Sequence, residues 1–78
     1  MNLYLLTRPD GEYDTFGGAV VCAESEAEAR GIHPGDSMGK EMTDPKLWIP
    51  PDKVIVKLIG LAAPSITRGV VWASFDGI

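Results

Sequence analysis

Four short apolar runs and a single helix start limit what this chain can fold into. Asn2 to Thr7 is rich in Leu and Tyr and is stopped by Arg8-Pro9, and Ala19 to Ala23 is a short continuous apolar run. Lys53 to Gly60 alternates, sending Val54, Val56 and Leu58 to one side and Lys53, Ile55, Lys57 and Ile59 to the other. Gly69 to Phe75 is the last run. Runs of this length between turn signals read as strands. Pro9-Asp10-Gly11 supplies turn chemistry after the first of them. Tyr13 to Phe16 extends that hairpin or lies across its end, and Gly17-Gly18 loosens the backbone before the second run.

The helix start is Ser25-Glu26-Ala27-Glu28, with the S-x-x-E spacing of a capping box. The Ser25 hydroxyl is placed to accept from the amide of Glu28, and the Glu28 carboxylate to reach back to the amide of Ser25. Glu26 adds negative charge where the helix dipole favours it. The helix is predicted from Glu26 to about Ile32, ending at His33-Pro34-Gly35 because a residue before proline resists the α region. Two turns do not stand alone in water, so Ala29 and Ile32 must pack on the sheet.

Residues 34–52 make a long polar excursion. A structureless stretch of that length is unusual in a small domain. Short helical turns are expected in it, one at Asp44-Pro45-Lys46-Leu47-Trp48 with Asp44 as N-cap and Pro45 in the first turn. The predicted order is β-β-α-β-β. It implies an α+β fold: a small four-stranded, mostly antiparallel sheet with one short helix on one face. Residues 1–78 then form one domain, broken only by the excursion. At 78 residues such a domain hides only about 60% of its unfolded surface. The far face of the sheet, half apolar through Ile55 and Ile59, calls for cover from the excursion or from another subunit.

Charge is unevenly spread. Between Arg8 and Arg30 lie six acids (Asp10, Glu12, Asp14, Glu24, Glu26, Glu28) and no base. The formal net charge is −4, and the seven bases of the whole chain are scattered. Proteins that bind nucleic acid neutralise phosphates with clustered Lys and Arg, so direct nucleic-acid binding is not expected. An acidic block does suit a basic groove on another protein, where complementary charge speeds and orients encounter. It reads equally as a solvated face that keeps the protein in solution.

Catalytic and metal chemistry is poorly supplied. The one histidine, His33, sits at the helix end, where it can bond free carbonyls. His33 and the one cysteine, Cys22, give no ligand spacing. Cys22 lies in an apolar run and reads as a buried thiol. Gly17-Gly18 precedes a strand, the wrong context for a phosphate loop, and Gly35 to Lys40 matches one only superficially. No catalytic residue, cofactor or metal is assigned. No apolar stretch approaches the ~20 residues of a membrane span, and a cytoplasmic protein is the default. Met38, Met42, Leu47, Trp48 and Ile49 form an apolar cluster within the excursion. Trp48 reads either as a contact anchor or as a plug for the open end of the core.

The run Tyr13-Asp14-Thr15-Phe16, followed by Ala19 to Pro34, resembles a family of very short bacteriophage and prophage proteins. The opening strand and the segment Gly69 to Phe75 are similar as well, so the likeness spans most of the chain outside 35–52. It departs from that family at Gly31 and at Met38 to Lys46. The resemblance implies a phage-encoded inhibitor of host defence, an anti-CRISPR protein first among them, acting by occupancy rather than catalysis. The partner would be a host protein complex, met by Glu12, Asp14, Glu24, Glu26 and Glu28 with Trp48 as apolar anchor. Homo-oligomerisation is left open. Rival readings are a virion or assembly accessory, and a module for a small ligand or nucleotide with Arg30, Lys57 and Trp72 converging on a pocket.

Overall fold

The computed structural model describes residues 1–9 and 15–76. Strands β1 (Asn2–Thr7) and β2 (Thr15–Ala23) precede a single short helix, α1 (Glu26–Arg30), and strands β3 (Ile55–Leu61) and β4 (Gly69–Asp76) follow it. The strands form one sheet in the order β3-β1-β2-β4, with every neighbouring pair antiparallel. This is the expected small α+β fold.

Alternation in β1 fixes the two sides of the sheet. Tyr4 and Leu6 are buried, and across the ladder they face Val21 and Ala19, which are buried on the same side. The second strand is longer than its sequence suggested, because Gly17-Gly18 lie inside it. A Cβ at Gly18 would stand 2.9 Å from the carbonyl oxygen of Leu6. The glycine thus permits a close backbone approach within the ladder instead of ending it. The register shifts between Phe16 and Gly18 against β4, as at a bulge.

The start of α1 is as its sequence dictates, with the Ser25 hydroxyl accepting from the Glu28 amide at 3.1 Å. The Glu28 carboxylate reaches back one residue further than predicted, accepting from the Glu24 amide at 3.0 Å. The helix ends two residues early, at Arg30. His33 stands in extended backbone ahead of Pro34 (φ −79°, ψ 129°), which draws the chain out of the helix. Gly31 and Ile32 bond back to Glu28 and Ala29 at the tighter three-residue spacing.

The excursion is a chain of four 3-10 turns, at Pro34–Ser37, Lys40–Thr43, Pro45–Leu47 and Pro51–Lys53. Asp44 caps the third as expected, its Oδ1 accepting from the Lys46 amide at 2.8 Å. The excursion does not shield the far face. Trp48 and Val54 join Tyr4, Leu6, Phe16, Val21 and the helical Ala29 in one buried cluster, with Ile32, Met42, Leu47 and Ile49 packed against it. Helix and excursion therefore cover the same side. A Cβ on buried Gly35 would fall 1.8 Å from the carbonyl oxygen of Met42, so the first two turns meet backbone to backbone.

That contact gives a paired prediction. Gly35→Ala should destabilise the fold by about 3 kcal/mol, since overpacking here pushes on backbone. Gly31→Ala, whose Cβ would meet nothing closer than 3.7 Å at a negative φ, should stabilise by roughly 0.5 kcal/mol through the unfolded chain. Urea unfolding of the two variants beside wild type measures both.

Candidate interaction surfaces

The acidic residues after β2 are not an uncompensated block. Arg68, arriving from the connection between β3 and β4, lies 3.2 Å from Glu24 and 2.8 Å from Glu28. Arg30 lies 3.5 Å from Glu26 one helical turn away. All three carboxylates are thus held by two arginines, and the sequence reading of an unpaired field is corrected over this stretch. Nearness in sequence did not reveal the partner, because Arg68 stands 44 positions from Glu24. Asp10, Glu12 and Asp14 lie outside the described residues.

Trp48 is a plug rather than a free anchor. It is 8% exposed and belongs to the core, with the Arg8 guanidinium carbon 5.9 Å from its ring centroid. Its indole N–H is buried and finds no hydrogen-bond acceptor among the described residues. One side of the ring helps line a groove of about 330 Å³ between the helix end and the excursion, walled also by Arg30, Ile32, His33, Ile49 and Pro51.

The groove offers little to a charged ligand. Arg30 donates to the carbonyls of Pro51 and Val54 and faces Glu26, so its guanidinium is engaged in tying the excursion to the helix. His33 accepts from the Gly35 amide at Nδ1 (2.9 Å), which makes Nε2 the donor to the Asp44 carbonyl (3.0 Å). Both ring nitrogens are committed, and the ring edge packs against Phe16 at 5.9 Å. The histidine is a brace between the excursion and the sheet.

Arg30, Lys57 and Trp72 do not converge. Ladder partners project to the same side, so Lys57, Leu5, Val20 and Trp72 form one row across all four strands on the face opposite Tyr4 and Leu6. Lys57 and Trp72 hold its two ends, roughly 14 Å apart at ordinary strand spacing. Arg30 lies on the covered side with the helix.

This open face and the sheet edges carry most of the exposed apolar surface. Of nine exposed large hydrophobic residues among the described ones, seven sit on the two outer strands: Ile55, Leu58, Ile59 and Leu61 on β3, and Val71, Trp72 and Phe75 on β4. Trp72 is the largest and is 62% exposed. At one end of the open face, Cys22 is buried beneath Met1 and the Ile66 carbonyl, its Sγ 4.0 Å from the Met1 sulfur and 3.9 Å from that oxygen. The apolar reading of this thiol is therefore the observed one.

Among the described residues, no group of three His, Cys, Asp or Glu side chains is placed to hold a metal ion. No described helix is long and apolar enough to cross a membrane. No family model, curated protein or solved structure matches the chain.

The two polar devices around α1 should separate on mutation. Ser25→Ala should cost about 1 kcal/mol at any ionic strength, because it strands a helix amide. Arg68→Ala removes only exposed ion pairs, so its cost should stay below about 1 kcal/mol and fade in 1 M salt. Denaturant midpoints at low and high sodium chloride distinguish the two.

Proposed function

We propose that this chain is a non-enzymatic binding protein that docks on another protein through the open face of its sheet, with Trp72 as the principal anchor. The observation that carries this reading is the placement of a mostly exposed tryptophan beside half-buried Leu5 and Val20, on the part of the sheet that neither the helix nor the excursion covers. Tryptophan in an apolar setting dominates the energetics of protein contacts. The only charge in that row is Lys57, so the fitting partner surface is apolar with an acid at its margin.

The resemblance of residues 13–34 to short bacteriophage proteins supplies the partner class: a host defence complex, with a CRISPR surveillance complex first to be tested. The acids Glu24, Glu26 and Glu28, already paired with arginines, would contribute at the rim. Their part is to orient the encounter, and their pairing leaves only a small local excess of negative charge. Glu12 and Asp14 stay within the proposal as acids of the same early segment, and Trp48 supports the fold beneath the surface.

Capture by a purified, immobilised surveillance complex tests this. Wild type should be retained, and Trp72→Ala should bind roughly 30-fold more weakly, the loss of a hot-spot side chain. The Glu24/Glu26/Glu28→Lys variant should mainly slow association. Equal capture of wild type and Trp72→Ala removes the open face from the mechanism. Absence of capture for every variant removes the partner class.

A further inference from the structure

The edge strand β3 has the composition of an interior strand. It pairs with β1 on one side and with no strand on the other among the described residues. Yet Ile55-Val56-Lys57-Leu58-Ile59-Gly60-Leu61 is an almost continuous apolar run, the pattern of strands covered on both sides. Solitary domains guard such edges with proline, charges, a bulge or a covering segment, and β3 has only one lysine and one register shift. It has no acid and no proline. The opposite edge strand, β4, also carries exposed apolar residues, but its Phe75 is partly engaged, stacking edge-on against Phe16 with ring centroids 5.1 Å apart. Exposure on β3 reaches 57% at Leu58 and 81% at Leu61.

We infer that the free edge of β3 pairs antiparallel with β3 of a second copy, joining two sheets into one of eight strands across a two-fold axis. Pairing a strand with itself is isologous, so one surface serves both partners. The register follows from the residues. Only a two-fold axis at Leu58, the midpoint of 55–61, overlaps the whole strand. It sets Ile55 against Leu61, Lys57 against Ile59, and Leu58 against its own counterpart. An axis one residue earlier would place the two Lys57 ammonium groups directly opposite, which like charges oppose. In the full-length register Ile55 meets Leu61 and Leu58 meets Leu58, while each Lys57 lies against the aliphatic Ile59 and away from its own counterpart.

The area available sets the strength. Four exposed side chains and one strand edge give on the order of 500 Å² per copy, short of the ~800 Å² each partner gives up in a standard interface. The pairing is therefore weak and reversible, so the mass should depend on concentration. The register shift between Leu3 and Tyr4 against β3 works in the same direction, since a bulge twists the edge and keeps the contact short. This surface is separate from the open face on which the proposed function rests, and either stands without the other.

Sedimentation equilibrium from about 5 to 500 µM should show the mass rising from 8.4 kDa toward twice that value. Leu61→Lys, at a position too exposed to disturb the fold, should weaken association at least tenfold, while Trp72→Ala should leave it unchanged. Under mild oxidation Leu58→Cys should form a covalent dimer, because directly opposed residues meet disulfide geometry. Ile55→Cys, facing Leu61 instead of itself, should not, and buried Cys22 supplies no competing thiol. A mass fixed at 8.4 kDa across the series overturns the proposal. So does a dimer that Leu61→Lys leaves intact, one that Trp72→Ala abolishes, or equal cross-linking through both engineered cysteines.

Discussion

The insertion of Trp48 against Tyr4, Leu6 and Val21 decides how the rest of the molecule is arranged. The connection from α1 to β3 has to run from the helix end to an outer strand, and it could have crossed either side of the sheet. With its largest side chain seated in the core beside Ala29, the excursion is committed to the helix side. Arg30 reinforces that choice by holding the carbonyls of Pro51 and Val54. His33 does the same further back, joining the Gly35 amide to the Asp44 carbonyl. A domain this small hides only a modest fraction of its surface. With both covering elements on one side, the other side is covered only at its Cys22 end, by Met1 and Ile66.

The local features of this fold were legible in the sequence, and the reason is that their physics is local. The Ser25 cap joins residues three apart, and the Asp44 cap joins residues two apart. Strand alternation in β1 is likewise carried by adjacent residues. Gly17-Gly18 misled because a glycine pair signals loosened backbone as readily as a close strand approach, and only the position of Leu6 distinguishes them. The end of α1 came earlier than expected because the extended state of His33 before Pro34 outweighed the packing of Ile32 as a helical residue.

Properties that depend on partners distant in sequence were not legible. The carboxylates at 24–28 looked unopposed because their main counter-ion comes from Arg68, placed beside them by the antiparallel pairing of β2 with β4. The alternation of β3 correctly put Val54 and Val56 on the covered side, yet it said nothing about whether another strand lay alongside. Edge and interior are facts of topology, and the order β3-β1-β2-β4 follows from pairings across the whole chain. Lys57 and Trp72 form no pocket with Arg30. They share a face but stand at its opposite margins, and Arg30 is on the other side.

The consequence for function is a shift from charge to shape. An unpaired cluster of carboxylates would have drawn a basic partner over long range. Carboxylates held by Arg30 and Arg68 present a weaker and shorter-ranged field, and their contribution to affinity shrinks with it. What the fold leaves exposed on its outer strands is largely apolar: Trp72 on the open face, and Ile55, Leu58, Ile59 and Leu61 along β3. Burial of such groups supplies binding energy without requiring a reacting atom. On the proposed reading, a sheet covered on one side by its described helix and excursion would bind through its open face and along the β3 edge.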